Sequence, residues 1–460
     1  MTLASKCEGK IEKMRSFFMG RTYPLIVGAL VLIGSISGLE YFLNFIVTAL
    51  VVTSLVVSDS VKPLLMPLCT YVFQISLPHA PKYPTYSDYY ITGWRLPVSI
   101  VIIASVVFAV VFFIVKNRIY KRVGIKNNPI LIPLAVLSLA FLTNGIFGGA
   151  WVSGNLLYAL INIGVFAFVF LLIYHGFSEE EETGELVSYV TYLTLLISFI
   201  LIGELGHLFL TSDSIFIDGS INKVGVALGW GIWNLVGVSI SMLIPMLFYG
   251  AMTEKYPWLY FGAATASYIA SVLTMSRNAL VFATLAYGAC VIISCFVGKN
   301  KRVFRVILAT GIALVIIAVI LLFGKIRAVL GDYFERGFSD NGRYALWRAA
   351  FDNFLSAPVF GKGFLGFDVD TSVFGPLPKQ AHNTIFQRLS ATGLFGFFAY
   401  AYYRFKTAVA VVRRPSLKKT MMALGILVIL GGSLLDNFVF NIYPMFYYNV
   451  LLALIIRESA

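Results

Sequence analysis

Three ionisable residues stand where an otherwise apolar chain could place chemistry. His382, in "KQAHNTIFQRLSATGLFG", is one of only four histidines in 460 residues, and it sits at the lip of an apolar stretch reaching Tyr403. Arg277, in "LTMSRNALV", is the only charged residue between Tyr256 and Gly298. Arg343 opens the helix-like run "GRYALWRAAF". Guanidinium groups stay charged and grip two oxygens at once, which suits phosphate. Histidine is the usual general base near neutral pH. Together the three suit group transfer away from a phosphate leaving group. Each also has an ordinary structural role open to it: a snorkelling arginine, a solvated helix-face arginine and an interfacial histidine. A further candidate, Glu204 with His207 three residues on, could pair within one helix.

These residues need a membrane to position them. The chain is 59% hydrophobic and 12% charged, with mean hydropathy +0.84, more apolar than a water-soluble exterior allows. Apolar runs recur from Tyr23–Ser37 through Ile442–Ile456. The expected fold class is all-α, a polytopic membrane helix bundle of about 12–14 spans. The basic, polar start and a first apolar run without a cleavage site predict no cleaved signal peptide. The net charge of +13 is spread over short segments between apolar runs, which argues against a nucleic-acid partner. Cys7, Cys69, Cys290 and Cys295 lack zinc spacing and read as structural.

Charge sets the orientation. Lys6, Lys10, Lys13, Arg15 and Arg21 put the N-terminus in the cytoplasm. The basic segments Lys116–Asn128, Gly298–Arg305 and Arg404–Lys419 join it there only if the proline-broken stretch Lys62–His79 crosses the membrane. The expected organisation is a cytoplasmic N-terminus (1–21), membrane helices (22–323), an extracytoplasmic loop (324–383), C-terminal helices (384–456) and a short cytoplasmic tail (457–460). In the loop, Tyr344, Trp347, Phe351 and Phe354 recur at helical spacing and predict one apolar face. Asp340 or Asn341 is the expected cap, Pro358 the stop, and "GKGFLGF" a tight glycine-rich turn. Such a long structured loop is usually functional. Tyr344 and Trp347 could stack on sugar rings, although core packing is the commoner use of such a stripe.

The order "SRNAL", then "GRYALWRAAFDNFLSAPVFGKGFLGF", then "AHNTIFQRLSATGLFGFF" resembles the O-antigen ligase and polymerase family of bacterial membrane proteins, over roughly Arg277 to Tyr403. The resemblance implies a lipid-dependent, inverting glycosyltransferase that needs no cofactor and no metal. It implies that Arg277 and Arg343 bind the donor diphosphate and that His382 activates the acceptor hydroxyl. Arg348, Asn383, Trp347 and Tyr344 are the further candidate substrate contacts. The implied substrate is an undecaprenyl-pyrophosphate-linked glycan held in membrane lipid, on the extracytoplasmic face of the bacterial inner membrane. A chain-length regulator and a flippase are the candidate protein partners. Polymerase and ligase share these residues, so the motifs do not choose between them. A transporter would instead show internal repeats and charges deep in several spans, and Glu204 is the main residue of that kind.

Overall fold

The computed structural model describes residues 3–74, 93, 95–124, 128–148, 151–177, 182–217, 220–228, 231–321, 342–366 and 380–459. Helices dominate: α1 (Leu3–Met19), α2 (Thr22–Ser37), α3 (Glu40–Val57), α4 (Pro67–Gln74), α5 (Arg95–Lys116), α6 (Leu131–Leu142), α7 (Ser153–Gly176), α8 (Thr183–Thr211), α9 (Trp233–Thr253), α10 (Pro257–Leu273), α11 (Arg277–Phe296), α12 (Lys301–Leu321), α13 (Arg343–Ser356), α14 (Thr384–Val412), α15 (Leu417–Gly432) and α16 (Ile442–Ser459). Two short antiparallel hairpins, Phe216–Ile217 with Ser220–Ile221 and Ala227–Leu228 with Gly231–Ile232, are the strands among the described residues.

Among the described residues, α5, α7, α8, α9 and α11 are long and apolar enough to cross a membrane, and the bent pair α1–α2 makes a sixth if it counts as one span. The protein is a multi-pass membrane protein. Its layers follow from burial: α9 hides 89% of its apolar window and α5 only 11%. Helix α9 is therefore central, and α5 turns Ile100, Ile103, Val107 and Val111 outward, the side-chain pattern a lipid neighbour accepts. Helices α8, α10, α11 and α15 pack with α9 around the middle of the bundle, and α16 packs on α15.

Three of the apolar stretches are not simple continuous helices. The run from Val224 is irregular at first, with a short turn and a hairpin, and its helix begins at Trp233. The described part of the proline-broken stretch, Lys62–Gln74, is a short turn and an eight-residue helix, with Lys62–Met66 buried; the rest of that stretch, expected to cross the membrane, lies outside the described residues.

The apolar stretch reaching Tyr403 forms α14, which is broken at Gly393, with φ +62°. The break frees backbone groups that a bilayer cannot satisfy. The glycine-rich turn after α13 satisfies them. Leu394 and Phe395 donate their amides to the carbonyls of Pro358 (2.8 Å) and Val359 (3.1 Å). Lys362 and Gly363 donate to the carbonyls of Ser390 (2.9 Å) and Ala391 (3.0 Å). Asn144 and Asn155 hold the far side of the turn, accepting from the amides of Phe364 (3.1 Å) and Leu365 (2.9 Å). The described part of the loop is thus keyed into the helix bundle. Gly361 and Gly363 have φ +67° and +91°, and a Cβ on Gly361 would meet the Ala391 carbonyl carbon at 2.4 Å. Only glycine fits there.

Candidate functional site

The ends of five chain segments meet on one side of the bundle. They are the starts of α9, α11, α13 and α14 and the turn from α15 to α16.

His382 occupies the residue before the cap of α14, with φ +47°. That left-handed conformation costs a non-glycine residue about 1–3 kcal/mol. Its neighbours hold it. Asn383 caps α14 by accepting from the amides of Ile385 (2.9 Å) and Phe386 (3.2 Å), and its own amide donates to Leu434 O at 2.8 Å. The Thr384 amide and hydroxyl both donate to Ser433 O, each at 3.0 Å. Ala381 N–H donates to the Gln387 side chain at 2.8 Å. At about 1 kcal/mol per bond, these contacts outweigh the strain. The histidine is fixed against the end of α15.

There it meets Asp436. His382 Nδ1 lies 2.9 Å from Asp436 Oδ1. An ionised carboxylate only accepts, so Nδ1 carries the proton, and in the neutral ring Nε2 keeps its lone pair. The Asn437 amide donates to the same oxygen at 2.8 Å. Asn234, at the start of α9, donates to Oδ2 at 3.1 Å. Asn234 in turn accepts from the Ser276 hydroxyl at 2.8 Å, and Ser276 caps α11 through the Ala279 amide at 3.2 Å. Arg277 is the first residue of that helix and is exposed. A line of hydrogen bonds therefore runs from His382 to the residue beside Arg277.

Burial alone would push the Asp436 carboxyl up. The hydrogen bond and charge of His382, the Asn437 amide and the Arg343 guanidinium outweigh it and hold the carboxyl below its ordinary range. Arg343, half-buried at the start of α13, is thus felt at the same carboxylate. The His382 side chain remains 44% exposed and Asp436 only 15%, so the ring can meet a substrate while its partner is shielded.

The rest of the predicted set divides. Trp347 stacks on Phe386, in the first turn of α14, with centroids 5.5 Å apart and planes at 15°. Tyr344 stands edge-on to Trp347 at 5.5 Å and is 69% exposed. The predicted apolar face of α13 is corrected: its buried residues are Leu346, Ala350 and Asn353, while Tyr344 and Phe351 are exposed and Trp347 stacks on Phe386 of α14. Arg348 is exposed on α13 and stands apart from the hydrogen-bond line among the described residues. The expected cap residues Asp340 and Asn341 lie outside the described residues. Gly342, with φ +78°, occupies the cap position. Glu204 accepts from Ser35.

Residues 261–401 match the O-antigen ligase family model, which makes the chain O-antigen ligase-like over that segment. No curated protein matches the chain. The O-antigen ligase-like segment holds Arg277, Arg343, Tyr344, Trp347, Arg348, His382 and Asn383, and it ends before Asp436. Sequence reasoning missed Asp436 and its support, Asn234 and Ser276. A signal was present. Asp436 is the one acidic residue between Asp370 and Glu458, in "GGSLLDNFVF" between two apolar segments, where an ionisable residue is a functional candidate by default.

Proposed function

We propose that the chain is a glycosyltransferase that polymerises lipid-linked oligosaccharide repeat units, with undecaprenyl diphosphate as the leaving group. The observation that carries this reading is the His382–Asp436 pair, set beside the Arg343 charge and joined by hydrogen bonds to the start of α11. His382 Nε2 takes the proton from an acceptor sugar hydroxyl. The hydroxyl oxygen bonds to the donor's anomeric carbon from the face opposite the leaving group, inverting it. The bond from that carbon to the diphosphate oxygen breaks, and its electron pair leaves with the diphosphate. Arg277 and Arg343 neutralise the charge that builds there. Asp436 holds the imidazole in the right tautomer and stabilises the imidazolium that forms. Tyr344, exposed above the Trp347–Phe386 stack, offers a face to a sugar ring.

The reading puts this end of the bundle outside the cell. It is supported by the opposite end, where basic groups gather: Arg15 and Lys116 pair with Asp59, Arg21 with Glu254, Lys62 with Glu185 and Lys418 with Glu458. Basic loops favour the cytoplasm. A cysteine at exposed position 348 is expected to react with an impermeant reagent in intact cells; reaction only after lysis would reverse the topology. Chelators are expected to leave the activity unchanged, because the arginines take the role a divalent cation plays elsewhere. Asp368 and Asp370, the nearest thing to a ligand pair in the sequence, lie outside the described residues.

A second reading is favoured by the description of the matched family, which names a ligase. One assay separates the two. Purified protein receives a single undecaprenyl-diphosphate repeat unit and nothing else. A ladder of longer lipid-linked products with release of undecaprenyl diphosphate supports the polymerase. Transfer only once lipid A core or a protein acceptor is added supports the ligase. Neither product under any condition defeats both.

A further inference from the structure

Two arginines farther along α14 have no part in the site above. Arg388 is six residues beyond His382 and fully buried, the largest of the fully buried side chains. Its guanidinium carbon lies over four rings, Phe141 and Phe440 at 4.5 Å and Phe166 and Tyr400 at 5.1 Å. Arg404 lies past the Gly393 break. The residue as a whole is half-buried, but its guanidinium nitrogens are fully buried. Its carbon lies over Tyr400 (4.6 Å), Tyr448 (4.8 Å), Tyr403 (5.1 Å) and Phe166 (5.9 Å). The two cations share Phe166 and Tyr400.

Ring faces attract a cation but do not replace hydrogen bonds to oxygen. All three nitrogens of Arg388 are buried without a hydrogen-bond partner. Those of Arg404 are buried with only the Tyr400 hydroxyl as a weak acceptor beside them, and no ion pair with Asp or Glu reaches either among the described residues. Like charges that share the same low-dielectric surroundings repel, and a buried ion without a counter-charge is costly. These surroundings hold further irregular features. Phe166 sits in a π-helical bulge, Gly164–Phe168, a distortion common at functional sites. Asn449, fully buried, donates to the bulge carbonyl of Val165 at 2.6 Å and leaves its own Oδ1 unpartnered. The break at Gly393 lies between the arginines. Two packed-away guanidinium groups, rich in donors and poor in acceptors, fit a ligand that is anionic and made of oxygens.

We propose that Arg388 and Arg404, with the aromatic rings around them, form an oxyanion site that takes a phosphate-type group, from a lipid headgroup or free in solution. It is separate from the site at His382 and stands whether or not that site transfers glycans.

The test uses the full chain, purified without phosphate, in an Arg277→Ala/Arg343→Ala background so that binding beside His382 is not counted. Thermal unfolding is followed with orthophosphate, diphosphate, polyprenyl phosphate and, at matched ionic strength, chloride. Stabilisation by a phosphate-type probe and not by chloride is expected. Arg388→Met and Arg404→Met should each weaken that binding by about tenfold or more, the usual size of a lost charge-assisted contact. A shift with orthophosphate or diphosphate identifies a free anion. A shift with polyprenyl phosphate alone, or an anionic lipid retained in native mass spectrometry and lost in the variants, identifies a headgroup. If a Met variant does not fold, Arg388→Lys keeps the charge without the bidentate fork, and weaker binding in it by phosphorus NMR decides the same question. No specific shift with any probe and no retained lipid, or binding unchanged in the variants, overturns the proposal. The pair would then be a cation–aromatic prop, and Arg388→Met would be neutral or stabilising.

Discussion

Two places, the lip before α14 and its second turn, six residues apart, treat an ionisable side chain in opposite ways. At the lip, His382 has a carboxylate partner, a strained backbone held by a capped helix, and an exposed ring edge. Deeper in, Arg388 is fully enclosed by aromatic rings and its nitrogens have no hydrogen-bond partner. The difference is one of pre-organisation. Around His382 the carboxylate of Asp436 and the cap at Asn383 are held by hydrogen bonds, so the ring's tautomer and direction are set before a substrate arrives. Around Arg388 the charge is stored and its donors are unused. The first arrangement suits proton transfer, and the second suits holding an anion.

The comparison is broken most forcefully at the lip. His382→Ala should cut glycan transfer by about 10²–10⁴-fold, the usual cost of losing a general base, while the protein still inserts and folds. Arg277→Ala and Arg343→Ala should fall in the same range, and lysine at either place should rescue only in part. Near wild-type product from all three variants would return these residues to interfacial roles.

Asp436→Asn tests whether the histidine needs its carboxylate. Activity should fall by about 10²-fold or more, since the amide cannot stabilise an imidazolium and favours the wrong tautomer. The same variant carries a stability signature. The folded carboxyl is held below its ordinary value, so the stability it contributes is fully present above the unfolded pKa of about 3.9. That stability is lost as pH falls through the lowered folded value. Thermal scans should therefore show the variant less stable than the parent near neutrality, with the gap closing only in strong acid. A constant gap down to the lowest pH would mean the carboxylate is not specially stabilised in the fold.

The next effect is on the scaffold that both places share. Gly393→Ala must accept φ +62° and a Cβ about to collide with the Val359 carbonyl carbon at 2.5 Å. Destabilisation of about 1–3 kcal/mol is expected, seen as a lower unfolding midpoint in detergent. A substitution without effect would show that the turn and the broken helix are not locked together. The smallest effect should come from Arg348→Ala. This exposed side chain stands outside the hydrogen-bond line, and its loss should change rate by no more than about twofold. A larger loss would widen the site to include it.

Much of this protein was legible from the sequence. Hydropathy announced membrane helices, because a bilayer demands long apolar runs with internally satisfied backbones. The lone charges in apolar context pointed to Arg277 and His382, because such charges are rare without a reason. The glycine-rich turn after α13 could be read from local backbone preference. Tertiary structure alone decided the rest. Asp436 lies 54 residues from His382, and Asn234 lies 202 residues from Asp436; no local spacing encodes either contact. Gly393 looked like one small residue among several in an apolar helix, and only the approach of the Pro358–Gly363 backbone shows it as a break. Arg404 heads a basic segment expected in the cytoplasm, and no spacing marks Arg388; the structure puts both in one long helix. Folding brings α6, α7 and α16 around them, because ring faces and a bent helix can bury a cation that no single helix could hide.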